Sequence, residues 1–162
     1  MKLRKLIKED ACAMLEWMHD ENVTRWMQTD FSSKTLHDCE SFIEKSQDTG
    51  EDLNLAIVDE DNHYLGTVSL KHIDMNQKIA EFAITISSKA MGKGVSKYGM
   101  EEILRIGIEE LGLENIFWCV SKENERAIRF YEKGKGKRTN CVPNEILDRY
   151  HDLLDNLIWY VV

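Results

Sequence analysis

Proline, paired cysteines and sequence repeats are almost missing from this 162-residue chain. It has one proline, Pro143, and no low-complexity tract or linker that would divide it. Its four cysteines are widely spaced, with no C-x-x-C pair: Cys12, Cys39, Cys119 and Cys141. The five histidines show no metal-ligand spacing, so neither a disulfide framework nor a zinc site is expected. We expect reduced thiols in a reducing, cytoplasmic compartment.

Long apolar runs and an excess of basic residues are also missing. The longest uninterrupted apolar run is Leu157–Val162, far too short to span a bilayer, and Glu9 and Asp10 interrupt any secretory signal near the N-terminus. The formal net charge is -8, which argues against binding to nucleic acid or an anionic membrane. It weakly favours a cationic ligand such as an amine.

The residues present are typical of one soluble domain spanning residues 1–162, with 43% hydrophobic and 31% charged residues. Alternation and helical spacing predict a mixed α/β order with an antiparallel meander, a β-α-β unit and a final hairpin. The predicted elements are a strand at Lys2–Ile7, a helix capped by Asp10, a helix from Ser32 or Ser33 to about Asp48, strands at Leu53–Val58, Tyr64–Ile73 and Ile79–Ile86, a helix from about Val95 to Leu111, a strand at Ile116–Val120, a helix at Asn124–Lys133, and two strands within Lys137–Val162. Asp48, Thr49 and Gly50 are expected to end the second helix.

A glycine-containing loop precedes the longest predicted helix. It reads Lys89-Ala90-Met91-Gly92-Lys93-Gly94. A helix N-terminus offers unpaired N–H groups and partial positive charge, and glycines let the backbone approach a phosphate closely. The spacing matches neither of the two better-known phosphate loops. Taken alone, the glycines are equally compatible with a simple tight turn.

The neighbouring segments connect this loop to a known family. The loop resembles the [QR]-x-x-G-x-[GA] signature of the GNAT acetyltransferase superfamily, Asn124–Lys133 resembles its N-x-x-A-x-x-x-Y-x-K helix, and Ile79–Ile84 resembles the strand before the loop. The resemblance implies a mixed α/β fold whose central, mostly antiparallel twisted sheet has about six to seven strands, flanked by about four helices. It also implies an acetyl-CoA-dependent N-acetyltransferase. The implied cofactor-binding residues are Ile84, Ile86, Lys89, Met91, Gly92, Lys93, Gly94, Val95, Ser96 and Asn124.

The chain departs from the family pattern at two points. Lys89 stands where the family prefers Gln or Arg, which keeps the charge but loses planar hydrogen bonding. Gly134-Lys135-Gly136 replaces the usual Leu-Gly-Phe, whose aromatic residue packs near the cofactor. This replacement predicts a more flexible segment and weaker cofactor binding or local order.

The resemblance also assigns catalytic roles. Tyr131 would protonate the departing thiolate of coenzyme A, unless it is only a packed helix tyrosine. Glu81 is the candidate base for the amine, because its strand adjoins the proposed cofactor; the alternative is a strand glutamate paired with a lysine. Asn124 would bind the pantetheine arm, cap its helix, or do both. Backbone amides around Ile84 and Ile86 would polarise the thioester carbonyl.

The acceptor is less well defined. Arg25, Trp26 and Met27 could form a wall of the acceptor pocket or belong to the core. Asn22–Met27 and Tyr150-His151-Asp152, with Glu16-Trp17, resemble the branch that acetylates ribosomal-protein N-termini or nucleotide-linked amino sugars. The expected acceptor is therefore the primary amine of a small molecule or a protein N-terminus. An acidic pocket would indicate a polycation, and an aromatic, hydrogen-bonding pocket a nucleotide sugar.

Two further expectations concern mechanism and assembly. No cysteine adjoins a base, so direct transfer in a ternary complex is expected, and His151 and Asp152 would point to opposite faces of a strand. The alternative function is a non-catalytic acyl-CoA-binding sensor or regulatory domain on the same fold. An exposed final strand would allow a homodimer.

Overall fold

The computed structural model describes residues 1–47 and 50–162, and a single sheet dominates it. Its strands are β1 (Lys2–Lys5), β2 (Leu53–Val58), β3 (Tyr64–Asp74), β4 (Ile79–Ile86), β5 (Asn115–Ser121), β6 (Lys137–Arg138) and β7 (Leu157–Val161). The spatial order is β1-β2-β3-β4-β5-β7-β6. Among the described strands, only β4 and β5 run parallel; all other neighbours are antiparallel. The predicted mixed α/β fold with a mostly antiparallel sheet is confirmed.

The helices are α1 (Ala11–Met18), α2 (Glu21–Thr24), α3 (Leu36–Lys45), α4 (Val95–Arg105), α5 (Glu125–Glu132) and α6 (Asn144–Leu147). Three 3-10 turns accompany them, at Lys8–Asp10, Ser88–Ala90 and His151–Asn156, and a π-helical turn at Ile106–Glu110 extends α4. Across the part of the chain that is described, none of these helices is long and apolar enough to cross a membrane.

The sheet is covered by helices on both faces, as β2 illustrates. Its side chains alternate between two apolar clusters: Leu55 and Ile57 pack with α4, whereas Ala56 and Val58 pack with α1 and α3. A strand buried on both faces needs apolar residues at consecutive positions, which is why β2 reads as an unbroken apolar run after Asn54. The core therefore lies on both sides of the central strands.

Two helix starts differ from the prediction. Thr35, rather than Ser32 or Ser33, caps α3: its Oγ1 accepts from the Asp38 N–H at 3.2 Å, and the Asp38 carboxylate accepts from the Thr35 N–H at 2.8 Å. This reciprocal arrangement is a capping box, which the sequence around Thr35 could have indicated. The helix ends at Lys45, and the predicted stop at Asp48 and Thr49 lies outside the described residues.

Asp10 does not cap α1 with its side chain. It is buried, and its two carboxylate oxygens accept from the Arg4 guanidinium at 2.8 and 2.9 Å. It also accepts from the Ile7 N–H at 2.9 Å, which closes the 3-10 turn before α1. The residue therefore ties β1 to this turn.

The two strands predicted within Lys137–Val162 are present as an antiparallel pair, but the last one does not lie at the edge of the sheet. β7 lies between β5 and β6, pairing Trp159 with Cys119 on one side and Val161 with Lys137 on the other. The two-residue β6 forms the sheet edge. His151 and Asp152 lie in a 3-10 turn rather than in the expected strand. β7 therefore does not offer a free edge through which two copies of the chain could pair.

The parallel pair β4 and β5 separates partway along its length. Their pairing runs from Ile79 opposite Asn115 to Glu81 opposite Phe117 and stops there. β4 continues to Ile86 and β5 to Ser121, each without the other. The two strands therefore leave a gap inside the sheet, and α4 and α5 begin beside it.

Candidate active site

The gap between β4 and β5 opens into a cleft of about 730 Å³. Three walls surround it: the segment around the end of α2, the end of β4 with the start of α4, and the end of β5 with α5. Its lining includes most of the residues predicted from sequence, namely Arg25, Trp26, Met27, Ile84, Ile86, Met91, Gly92, Gly94, Val95, Ser96, Asn124 and Tyr131.

The glycine loop adopts the conformation that its sequence predicts. Gly92 and Gly94 both have φ of +77°, a region that side-chain-bearing residues rarely adopt. No atom of the described residues lies within 4 Å of a Cβ added at either position, so the backbone angle, rather than crowding, requires glycine. Gly94 is the cap of the 11-residue α4, whose first N–H groups, from Val95 onward, have no partner within the helix. This arrangement suits an anion such as a diphosphate.

Only part of the positive charge expected at the loop faces the cleft. The structure does not bring Lys89 or Lys93 into the cleft lining; the Lys89 ammonium lies 2.5 Å from a Glu16 carboxylate oxygen instead. The cleft is lined by Lys97 and Arg126, in the first turns of α4 and α5. Lys97 flanks the glycine loop in the sequence and was expected beside a diphosphate, whereas no local pattern connects Arg126 with the loop.

Unpaired backbone amides of β4 face the gap. The Ser87 N–H donates to the Leu65 carbonyl of β3 at 2.9 Å. Successive N–H groups of a strand point to opposite edges. The N–H groups of Ile86 and Ile84 therefore point away from β3, into the gap. These are the two residues whose amides were predicted to hold a cofactor.

Tyr131 of α5 presents a protonated hydroxyl to the same cleft. Burial raises the pKa of its phenol, and the nearby Cys119 and Tyr160 act in the same direction. Its ring is fixed by Trp118 and Tyr160, with ring centroids 5.7 and 5.4 Å away. Among the described residues nothing hydrogen-bonds to its hydroxyl, so this O–H group is available as a proton donor.

Asn124 serves as a cap and as part of the lining. Its Oδ1 accepts from the Ala127 N–H at 3.2 Å at the start of α5. Because only the oxygen is used, the amide NH₂ remains available to a ligand in the cleft. Both predicted roles are compatible with this geometry.

Glu81 is held away from the cleft. The residue is 4% exposed, and its carboxylate accepts from Arg149 Nε at 3.1 Å, Arg149 Nη2 at 2.7 Å and the Tyr150 hydroxyl at 3.0 Å. His72 Nε2 lies 3.9 Å away. Glu81 does not line the cleft. Lys71 lies opposite it in the β3–β4 register, as the alternative expected, but the hydrogen bonds of its carboxylate are with Arg149 and Tyr150. Arg149 and Tyr150 were missed because nothing local links them to a residue 68 positions earlier.

Cys119 lies in the cleft wall but is not suited to nucleophilic attack. Burial raises the pKa of its thiol to about 12. Since the thiolate is the reactive form, this cysteine stays protonated and unreactive at neutral pH. A covalent acetyl-cysteine intermediate finds no support in its surroundings.

The Gly134–Gly136 departure is packed more tightly than predicted. A Cβ added at Gly136 would lie 2.3 Å from Trp118 Cη2 and 2.4 Å from Cζ2. Trp118 is 2% exposed and stacks on Tyr160 at 5.7 Å with an interplanar angle of 11°. The indole of β5 thus occupies the space beside Gly136, and the weaker cofactor binding expected from this replacement stays a prediction.

The third wall of the cleft carries the predicted acceptor residues. Trp26 is 39% exposed, and Arg25 makes no ion pair with any described carboxylate. Met27 is half-buried and also packs against the α1 and α3 cluster, so the acceptor-wall and core readings both apply to it. Asn22, Gln28 and Thr85 line the cleft as well and were not predicted.

A second cavity of about 410 Å³ lies outside this cleft. Its lining contains the carboxylate residues Glu51, Asp74 and Glu145, together with His72 and Arg149. It shares no lining residue with the cleft and contains none of the loop or α5 motif residues. The cofactor chemistry therefore belongs to the larger cleft.

Comparison with known proteins identifies the family. The model of the acetyltransferase (GNAT) domain matches residues 1–136. Spermidine N(1)-acetyltransferase of Escherichia coli strain K12 is 29% identical over 139 residues, covering 82% of this chain and 70% of that protein. The N-acetyltransferase p20 of Bacillus licheniformis is 26% identical over 168 residues, covering 92% of this chain and 93% of that protein.

Solved structures show the same fold. The spermidine N-acetyltransferase from Vibrio cholerae in complex with CoA and spermine aligns with a TM-score of 0.83 at 18% identity, covering 99% of this chain and 94% of that one. In the present protein, the seven-stranded sheet brings the phosphate loop, the strand gap and Tyr131 together in one cleft. The chain therefore belongs to the GNAT acetyltransferase family: it is an N-acetyltransferase, and its cofactor is acetyl-CoA.

Proposed function

We propose that this enzyme transfers the acetyl group directly from acetyl-CoA to the primary amine of a small molecule, within a ternary complex. One observation carries the proposal: the unpaired Tyr131 hydroxyl and the inward-pointing amides of Ile84 and Ile86 line one cleft. Together they supply N–H groups that polarise the thioester carbonyl and a proton donor for the departing thiolate, two of the functions that thioester aminolysis requires.

The cofactor binds with its diphosphate at the start of α4. Backbone N–H groups from Gly92 to Ser96 surround this end, and Lys97 and Arg126 supply the charge. The pantetheine arm extends along β4 and pairs with the free amides of Ile84 and Ile86, in place of the neighbouring strand that is missing there. A preorganised amide at the thioester oxygen contributes about 100- to 1000-fold to the rate.

The proton balance follows from the state of Tyr131. The neutral amine attacks the carbonyl carbon; the C–N bond forms, the C–S bond breaks, and the thiolate takes the proton of the Tyr131 hydroxyl. Because the pKa of Tyr131 is raised, the phenol keeps this proton at neutral pH until the thiolate forms. The proton released by the amine leaves through water in the open cleft and finally restores the phenol.

Glu81 has a positioning role in this scheme. It occupies the last paired position before β4 and β5 separate, and it holds Arg149 and Tyr150 at that point. An acceptor amine in the cleft does not reach its carboxylate, which already accepts from three donors. We propose that Glu81 fixes the fork between the strands rather than acting as the base.

The identity of the acceptor amine is not carried over from the relatives. Two of them are named for spermidine, a polycation, yet no described residue lining this cleft is an aspartate or a glutamate. Trp26, Tyr131, Asn22 and Gln28 give the cleft an aromatic, hydrogen-bonding character. This character fits an amino sugar or a similar small amine better than a polyamine. A peptide with a free N-terminus is a second acceptor to test.

The test is a two-substrate kinetic experiment. Purified protein is mixed with acetyl-CoA and a panel of amines, and released thiol is measured with a thiol reagent. Direct transfer predicts intersecting double-reciprocal plots; parallel plots would indicate a covalent intermediate and contradict the proposal. Calorimetric binding of acetyl-CoA without turnover on any amine would also contradict it, and would favour a sensor.

A further inference from the structure

The charge inside the cleft is opposite to that of the whole protein. The chain carries a formal net charge of -8, yet the described residues that line the cleft include three cations, Arg25, Lys97 and Arg126, and no carboxylate. None of the three forms an ion pair with a described acidic residue. Unpaired cations in an acid-rich protein create a local positive potential that attracts anions.

Two of these cations belong to the cofactor end of the cleft. Lys97 lies in the first turn of α4, directly after the glycine loop. Arg126 lies in the first turn of α5, and its Nη1 is 3.5 Å from Sδ of Met91 in that loop. The phosphates of coenzyme A account for both charges.

Arg25 is left over on a different wall. It follows α2 and is adjacent to Trp26 and close in sequence to Gln28, all of which line the cleft. It is exposed and has no ion pair with a described residue that would fix its guanidinium. A guanidinium can bind a carboxylate or a phosphate with two parallel hydrogen bonds.

From this placement we infer that the acceptor is an amine that carries an anionic group, a carboxylate or a phosphate, and that Arg25 binds this group. The inference rests on the proposed function and specifies its substrate class. Trp26 supplies an apolar face beside the anion, and the amine points toward the thioester near Ile84. A polyamine would bring additional positive charge next to Arg25 without a lining carboxylate to compensate for it.

Matched amine pairs test this inference. Glucosamine 6-phosphate is compared with glucosamine, and β-alanine with its amide; the two pairs distinguish phosphate from carboxylate, and spermidine represents the polycations. In at least one pair, the anionic amine should have a kcat/KM about 10- to 100-fold above that of its neutral partner, the range expected for a charge-assisted contact.

Variants attribute the preference to one side chain. Arg25→Gln should remove the preference for the anionic amine while the KM for acetyl-CoA stays within about twofold. Lys97→Gln should show the reverse pattern, a higher KM for acetyl-CoA with the preference intact. Arg129→Gln is the matched control, because this arginine is exposed on α5, lies 3.6 Å from a Glu125 carboxylate oxygen and does not line the cleft.

The possible failures are distinguishable. Faster turnover of spermidine or of the neutral amines, or an unchanged preference in Arg25→Gln, overturns the inference and leaves the proposed function standing. Absence of turnover with every amine contradicts the proposed function and overturns this inference with it.

Discussion

Replacing Gly136 with alanine should destabilise the protein, although this glycine lies outside every helix and its φ is not positive. The added Cβ would lie 2.3 and 2.4 Å from two ring atoms of Trp118. The indole cannot yield easily, because Phe82 contacts its ring edge-on at 5.6 Å and Tyr160 stacks on its face. Overpacking of this kind costs about 1 to 3 kcal/mol.

The middle of that range corresponds to a clear thermal shift. A loss of about 2 kcal/mol in the free energy of unfolding lowers Tm by about 4 to 8 °C in a protein of this size. The strain should also reach the active site, since Trp118 packs against the Tyr131 ring. We expect kcat of Gly136→Ala to fall about tenfold or more, as displacement of a catalytic group by an ångström costs up to about 100-fold.

A double-mutant cycle and a nearby glycine supply the controls. Trp118→Phe removes the obstructing ring atoms and loses no hydrogen bond, since the indole N–H has no partner among the described residues. In that background Gly136→Ala should cost at least about 1 kcal/mol less. Gly134→Ala should be nearly neutral, because its Cβ would meet only the Tyr131 carbonyl oxygen, at 3.5 Å. An equal cost of Gly136→Ala in both backgrounds, or a larger cost at Gly134, would refute the steric account.

Three further outcomes are expected. Tyr131→Phe should lower kcat about 100-fold or more while the Kd for acetyl-CoA measured by calorimetry changes less than about twofold, and unaltered kcat would exclude the acid role. Burial raises the pKa of both Tyr131 and Tyr150, so these phenols ionise in the unfolded chain before they ionise in the folded protein as pH rises above about 10. The free energy of unfolding, measured by denaturant titration, should therefore fall in that range, and it should fall less steeply in Tyr131→Phe. Glu81→Gln should lower Tm, because Arg149 loses its charged partner, but leave the shape of the pH–rate profile unchanged; loss of the acidic limb would instead identify Glu81 as the base.

Local features of the site could be read from the sequence because each depends on neighbours along the chain. β4 has the predicted bounds, Ile79–Ile86, since its alternation and flanking turns are local. Gly92 and Gly94 have the left-handed conformation that only glycine adopts readily. Asn124 caps α5 as its position before the helix predicts. In each of these cases backbone geometry alone decides the role of the residue.

The partners of long-range contacts could not be predicted in this way. Glu81 lies on the predicted strand, but Arg149 and Tyr150 come from a loop 68 and 69 positions away, and only the fold brings them together. The position of β7 between β5 and β6 likewise depends on strand order, which alternation of side chains does not encode. Trp118 fills the space beside Gly136 for the same reason.

The separation of β4 from β5 also has a consequence for inhibition. A strand edge with free N–H and C=O groups normally pairs with another extended chain. In this protein the free edge of β4 lies inside the sheet, so only a narrow molecule can reach it. The pantetheine arm has two amides and can pair with this edge as a substitute strand. A short peptide-like compound with amides at strand spacing should compete for the same pairing, and joining it to an anion aimed at α4 would make an inhibitor that mimics coenzyme A.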